Sequence, residues 1–254
     1  MIALSVALSF FKLFELGNGG SVTLGSMVPI ILASFILDFK FSVLTAFVYS
    51  LLQMLLQGVA APPVESFSWY LLVITLDYIL AFALIGLAGV FKKMNNQKSA
   101  LILGALLTGL LRYACHVISG ATVWAGLSIP TASALSYSFV YNATYMLPET
   151  IVLALAAFYI GGVLNFSTVR LSPVKKENSI KLSWLSYIGG AALLAALVYD
   201  VAAVFSKLQN ADSGEFDITG IASVNWTGIL IVSLAGIGIF AILALISKSK
   251  ASKG

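Results

Sequence analysis

Four ionisable residues lie inside long apolar stretches of the sequence, where any charged side chain needs a reason: Asp77, Arg112, His116 and Glu149. If these stretches cross a membrane, each of these residues is a candidate for a functional site. The alternatives are that it pairs with another residue or that it lies at a helix end and snorkels to the interface. Arg112 and His116 are four residues apart, so a helix would place them on one face. The sequence therefore predicts polar chemistry buried between helices.

One aromatic stripe extends from this pair along the same predicted helix. Tyr113, His116, Gly120 and Trp124 follow one another at spacings of three, four and four, provided that the helix continues to Trp124. Trp offers a stacking face for an aromatic or cationic ring, Gly allows close approach, and His supplies a hydrogen bond. An interfacial aromatic belt with a His bonded to a neighbouring helix stays open as the alternative.

A second polar stripe lies on the next predicted helix. Asn142, Tyr145 and Glu149 occupy positions i, i+3 and i+7, and Tyr137 and Tyr141 precede them by about one turn. Such a face must point into a bundle or a cavity rather than into lipid. The alternative is interhelical hydrogen bonding that only holds the helices together, worth about 0.6 to 2 kcal/mol per contact.

Two features near the N-terminus concern gating and helix contacts. Residues 16–29 contain four glycines and several hydroxyl groups, which indicates a mobile lid, although a Gly-rich connector is often just a turn. Ala3 and Ala7 form a small-xxx-small face that allows another helix to approach closely. An ordinary Ala-rich helix is the alternative for that face.

Composition decides the environment of these helices. Hydrophobic residues make up 60% of the chain and charged residues 9%, far from the roughly 25% charged residues of soluble domains. The apolar runs approach the roughly 20 residues of a bilayer span and lack the alternation of barrel strands. The sequence predicts an all-α, polytopic membrane protein with eight spans, at residues 1–14, 22–37, 41–57, 67–91, 99–119, 134–164, 183–206 and 226–247.

The basic residues indicate the orientation of these spans. Lysine and arginine cluster at residues 40, 92–98, 170–181 and 248–253, in alternate loops, whereas the opposite loops are mainly acidic. The positive-inside rule places both termini in the cytoplasm, and the net charge of +4 is explained without nucleic acid. Residues 167–182 are polar, which predicts a cytoplasmic linker. This linker would separate a six-helix membrane domain, 1–166, from a two-helix extension, 183–254.

Several functional classes lack their sequence motifs. The chain has no G-x-x-x-x-G-K-[ST] phosphate loop and no G-x-S-x-G or H-E-x-x-H motif. It contains one Cys and one His, which disfavours a metal site, and no motif points to a cofactor. We expect a protein that is not an enzyme and does not itself hydrolyse ATP.

Four separated motifs, in order, resemble the ThiT (YuaJ) family, the thiamine-specific S components of energy-coupling factor transporters. They are Gly-Gly-Ser-Val-Thr-Leu-Gly-Ser-Met-Val-Pro-Ile at 19–30, Leu-Asp-Tyr-Ile-Leu-Ala-Phe-Ala at 76–83, Leu-Leu-Arg-Tyr-Ala-Cys-His-Val-Ile-Ser-Gly-Ala-Thr-Val-Trp at 110–124, and Tyr-Ser-Phe-Val-Tyr-Asn-Ala-Thr-Tyr-Met-Leu-Pro-Glu at 137–149. The resemblance covers about residues 1–165. It does not cover the terminal helix pair, for which no role is predicted.

The resemblance implies a six-helix thiamine-binding subunit in the bacterial plasma membrane, which partners a transmembrane coupling protein and two ABC-type ATPases. It implies that Trp124 stacks on thiamine and that Asp77 stands where relatives often carry Glu. The predicted substrate-binding residues are Trp124, His116, Tyr113, Gly120, Asp77, Tyr78, Tyr137, Asn142 and Glu149. The predicted gate contains Gly19, Gly20, Ser21 and Gly25, and Ala3 and Ala7 are predicted to contact the coupling subunit.

Two rival interpretations remain at this stage. The chain could bind another vitamin, such as riboflavin or a thiamine precursor, because S components share a fold and the pocket decides the ligand. It could also be a membrane scaffold whose polar stripes only join helices.

Overall fold

The computed structural model describes residues 1–16, 20–59, 66–124, 131–166, 171–174, 184–209 and 216–252, apart from the side chains of Trp124 and of residues 248 and 250–252. The chain divides into two compact units, Met1–Pro173 and Val174–Gly254. Within the described residues, six helices are long and apolar enough to cross a membrane: Phe39–Gln57, Phe67–Phe91, Gln97–Val123, Ala132–Val163, Trp184–Leu208 and Trp226–Ser247. The predicted all-α, multi-pass membrane architecture is therefore confirmed.

The first unit begins with short elements instead of two full spans. Helix α1 covers Ile2–Ser9, strands β1 and β2 cover Lys12–Glu15 and Ser21–Thr23, and helix α2 covers Val28–Ile36. The strands form an antiparallel hairpin in which Glu15 lies opposite Ser21 and Lys12 opposite Thr23. The predicted helices at 1–14 and 22–37 are wrong in extent, because the chain reverses near the glycines and pairs with itself.

Four long helices follow α2 in the described part of the first unit. These are α3, Phe39–Gln57; α4, Phe67–Phe91; α5, Gln97–Ser119 with a π-helical extension over Gly120–Trp124; and α6, Ala132–Val163. Side-chain caps start two of them: Asn96 Oδ1 accepts from the Ser99 N–H, and Thr131 Oγ1 accepts from the Ala134 N–H. These bonds satisfy amide groups that a helix N-terminus leaves unpaired.

The core of this unit surrounds α2, whose residues are nearly all buried. Ile30 and Ile31 pack in one apolar cluster with residues of α3, α4, α5 and α6, including Tyr49, Ile85 and Leu101. Nine residues extend only about 14 Å, less than half of a hydrocarbon core of about 30 Å. Helix α2 is therefore a buried central element rather than a span.

Short strands β3, Leu164–Asn165, and β4, Ser172–Pro173, form an antiparallel pair after α6. The second unit is a helical hairpin of α7, Trp184–Leu208, and α8, Trp226–Ser252, with a 3-10 turn over Ile218–Ser223. Gly236 packs against Ala196 across this hairpin. Ser233 Oγ donates to Asp200 Oδ2 at 2.6 Å, which satisfies one oxygen of that carboxyl inside the hairpin.

Candidate functional site

Asp77 and His116 meet between α4 and α5. Asp77 Oδ1 lies 2.8 Å from Nδ1 of His116, and Oδ2 accepts a hydrogen bond from Ser119 Oγ at 2.6 Å. Each of the two paired side chains retains 12% of its exposure. Asp77 lies on a π-helical segment of α4, Ile74–Leu80, a wider turn that is frequent at functional sites. The same geometry recurs in Gly120–Trp124, beside His116 in sequence.

The carboxylate orients the imidazole. When the carboxylate is ionised and the imidazole is neutral, Nδ1–H donates to Asp77 and Nε2 keeps a lone pair for a donor. In this state the pair holds one negative charge in a site that is largely shielded from solvent. The arrangement suits a cationic ligand that also presents an N–H group. Ser119 was not among the predicted binding residues, although its position three residues after His116 places it on the same side of the helix.

Asn142 joins α5 to α6 beside this pair. Its Nδ2 donates to the His116 carbonyl at 3.2 Å and to the Ser138 carbonyl at 2.8 Å, and its Oδ1 accepts from the Tyr145 hydroxyl at 2.6 Å. A Cβ on Gly120 would collide with the Ser138 side chain. Gly120 thus allows two helices to approach closely, and the bond from Asn142 to the His116 carbonyl joins them, while the bond to the Ser138 carbonyl stays within α6.

Aromatic side chains of α6 form a ladder that ends at His116. The rings of Tyr137 and Tyr141 are parallel with centroids 6.2 Å apart, and Tyr141 meets Tyr145 edge to face at 6.0 Å. Tyr145 then meets the imidazole of His116 edge to face at 6.1 Å. Tyr137 and Tyr141 are half-buried and Tyr145 is buried, so the ladder becomes more deeply buried toward the Asp77–His116 pair.

The predicted aromatic stripe on α5 is only partly realised in the ladder. The Tyr113 hydroxyl donates to the Phe139 carbonyl at 2.8 Å, and its ring packs edge to face on Phe139. Tyr113 therefore contacts α6 at a different point. The helical path reaches Trp124 as predicted, but the Trp124 side chain lies outside the described part of the structure. Tyr78 is half-buried and close enough to Tyr145 to interact with it electrostatically.

The hairpin lies against α6. Gly20 packs on the Tyr145 ring so closely that a Cβ there would lie 2.5 Å from Cδ1. Glu149, 3% exposed, accepts from the Thr23 N–H at 2.6 Å and lies 2.8 Å from Thr23 Oγ1. Among the predicted gate residues, Ser21 lies in β2, Gly25 has a φ of +73° that glycine tolerates, and Gly19 lies outside the described residues.

Arg112 holds the other end of the same segment. Its Nη1 donates to Met27 Sδ at 2.7 Å, its guanidinium lies 4.6 Å from the Phe82 ring centroid, and the residue is 7% exposed. Glu149 supplies the opposite charge nearby. Ala3 and Ala7 are exposed on α1, whereas Ser5 between them is buried.

Comparisons with known proteins agree on one family. The family model described as "Thiamine transporter protein (Thia_YuaJ)" matches residues 1–167. The thiamine transporter ThiT of Bacillus subtilis strain 168 is 36% identical over 149 residues, which cover 54% of this chain and 73% of the relative. No solved structure matches the chain. Because the family model covers more than half of the chain, including the Asp77–His116 pair, the chain belongs to the Thia_YuaJ family of thiamine transporter proteins.

Proposed function

We propose that the chain binds thiamine with high affinity and is the substrate-specificity subunit of an energy-coupling factor importer. The observation that carries the proposal is the Asp77–His116 pair at the inner end of the tyrosine ladder. Thiamine joins an aminopyrimidine to a cationic thiazolium. The family membership and the name of the Bacillus subtilis relative support this ligand.

The two halves of thiamine match two parts of the site. The negative charge of Asp77 stabilises a cationic ring, which also gains from aromatic faces such as Tyr145 and Trp124. The lone pair on His116 Nε2 accepts from the exocyclic amine of the aminopyrimidine. Asp77 then acts partly through His116, since both of its oxygens are already engaged by His116 and Ser119. The remaining proposed binding residues are Tyr78, Tyr113, Gly120, Tyr137 and Asn142, whereas both carboxylate oxygens of Glu149 face Thr23 of the hairpin.

The proposed transport role requires partners. The sequence has no phosphate loop, so energy for uptake comes from two ABC-type ATPases through a transmembrane coupling subunit. Ala3 and Ala7 are exposed on α1, and their small side chains suit the close approach of a coupling helix. The lysine-rich loops support cytoplasmic termini in a bacterial cell, with the hairpin on the outer side. Residues 16–25 are then the proposed outer gate.

Ligand titration tests the binding proposal. Purified protein is titrated with thiamine while tryptophan fluorescence is recorded, and we expect quenching at submicromolar ligand that vanishes in Trp124→Ala. Trp184→Phe is the matched control, because Trp184 is 68% exposed and lies in the second unit. A response to riboflavin or to a thiamine precursor, without one to thiamine, would replace the proposed ligand.

Uptake experiments test the partner proposal separately. Co-expression with a coupling subunit and its ATPases should give ATP-dependent thiamine uptake and a complex that survives purification. Ala3→Leu and Ala7→Leu should abolish uptake while leaving thiamine binding intact, because a larger side chain blocks helix contact without entering the site. If the protein binds neither small ligands nor ATPases, the scaffold interpretation is favoured instead.

A further inference from the structure

We propose that Glu149 is a positioning residue that latches the β1–β2 hairpin over the site through Thr23. The inference rests on the proposed function for its link to thiamine release, but the latch itself is tested without ligand. It assigns to Glu149 a role that acts through the hairpin rather than by contact with the ligand.

The latch joins residues 126 positions apart in the sequence. Glu149 lies in the interior of α6, directly after Pro148, and both of its carboxylate oxygens face Thr23. The Thr23 N–H donates to Oε2 at 2.6 Å, and the Thr23 hydroxyl lies 2.8 Å from Oε1 and 2.8 Å from Ser26 Oγ. A side chain of α6 thus receives a backbone hydrogen bond from the strand that returns from the hairpin.

The charge of Glu149 favours the closed position of the hairpin over the open one. A buried carboxylate is unfavourable unless hydrogen-bond donors replace water, and bonds to an ionised group are stronger than neutral ones. When the hairpin lifts, Glu149 loses the two Thr23 donors at once. The closed hairpin is therefore favoured as long as Glu149 is charged.

The same segment is held at a second point. Arg112 donates to Met27 Sδ, four residues after Thr23. Two buried charges, one from α5 and one from α6, therefore hold the segment between β2 and α2. This role explains why Arg112 and Glu149 occur inside long apolar helices. Among the hydrogen bonds given above for the described residues, neither of them bonds to the Asp77–His116 pair.

Hairpin position decides access to the site. Gly20 covers the Tyr145 ring, and that ring contacts His116. Lifting the strand uncovers the innermost rung of the tyrosine ladder, next to the Asp77–His116 pair. A latch at Thr23 and Glu149 consequently controls how often the path to the site opens, which sets the rate at which a ligand leaves.

Cysteine labelling measures the latch directly. Val22 lies in β2 beside Thr23 and has no exposed surface, so a thiol in Val22→Cys reacts with a water-soluble maleimide only when the strand lifts. Cys115→Ser removes the native buried cysteine. In nanodiscs without thiamine, we expect Thr23→Val to raise the labelling rate about tenfold, equivalent to about 1.4 kcal/mol. Glu149→Gln, which keeps the shape and removes the charge, raises it about fivefold.

Matched variants separate the latch from a general loss of structure. Thr23→Ser keeps the hydroxyl and restores slow labelling. Thr144→Val changes a threonine of α6 whose hydroxyl donates to the Tyr141 carbonyl of its own helix, and it leaves the rate unchanged. In thiamine release experiments, Thr23→Val raises the dissociation rate by about the same factor as the labelling rate, while the melting temperature of the Thr23→Ser protein stays at that of the parent.

The outcomes are distinct. Unchanged labelling in both Thr23→Val and Glu149→Gln overturns the latch, whatever the ligand. A loss of thiamine affinity in Glu149→Gln without faster labelling also overturns it and makes Glu149 a direct ligand contact. Faster labelling in a protein that fails to bind thiamine supports the latch and refutes the proposed function alone.

Discussion

Replacing Asp77 by Asn isolates the charge of the site from its shape. The amide is isosteric: its oxygen still accepts from His116 Nδ1, and its NH2 faces the Ser119 oxygen, which accepts in turn. The imidazole therefore keeps its tautomer and its position. What disappears is one negative charge beside the proposed binding place of the thiazolium.

The size of the effect follows from the geometry. Asp77 is 12% exposed, so solvent screens its charge only partly. Interactions of charged groups in such settings contribute about 1.5 to 3 kcal/mol, which corresponds to a rise in Kd of about 12-fold to 140-fold. The uncharged aminopyrimidine half of thiamine should lose no more than about threefold, because it contains no cation. Asp38→Asn is the matched control, since Asp38 is exposed before α3.

Isothermal titration calorimetry of the detergent-solubilised protein measures each Kd. Two results would refute the reasoning. The first is thiamine affinity in Asp77→Asn equal to that of the parent. The second is an equal loss for thiamine and for its uncharged half, which would mean that the variant disturbs the shape of the site.

Two further predictions concern the second unit. Gly236→Val should destabilise the helical hairpin, because a Cβ at Gly236 would lie 2.6 Å from the Ala196 Cβ. Gly238→Val is the control and should be neutral, because a Cβ there would meet no neighbouring group within 4 Å among the described residues. Equal thermal stability of the two variants would contradict this packing. Hydrogen bonds from Thr219 lower the pKa of the exposed Asp217. A lowered pKa stabilises the folded turn at pH values above the unfolded value of about 3.9 and ceases to do so as pH falls through the folded value. The Thr219 amide shift in NMR spectra should therefore change only at pH values below about 3.9. A titration midpoint above about 3.9 would refute the lowered pKa of Asp217.

Helix prediction from the sequence succeeded where apolar runs are long. Helices α3 to α8 lie at or near their predicted positions, because about 20 apolar residues in lipid leave the backbone no option but a helix. The prediction was wrong in extent for residues 1–37, where the helices cover only Ile2–Ser9 and Val28–Ile36. Phe10, Phe11 and Leu13 suit a helix and a strand equally, and the choice depended on pairing between Lys12–Glu15 and Ser21–Thr23.

The candidate site shows the same division. Asp77 and His116 were identified as costly in an apolar helix, but their separation of 39 residues says nothing about contact. Gly120 was predicted to let a ligand approach, whereas a neighbouring helix occupies the space beside it. Glu149 was grouped with the binding residues, and its contact with Thr23 depends on where the hairpin packs.

The sequence by itself determined three things: that this is a membrane protein, at which positions its long helices occur, and which polar residues are costly inside them. It could do so because hydrophobicity and the cost of a buried charge are properties of local composition. The partners of those polar residues were decided only by the tertiary structure. A buried donor or acceptor is satisfied by whichever group packing brings within about 3 Å, and for Asp77 and Glu149 those groups lie in other elements, 39 and 126 residues away.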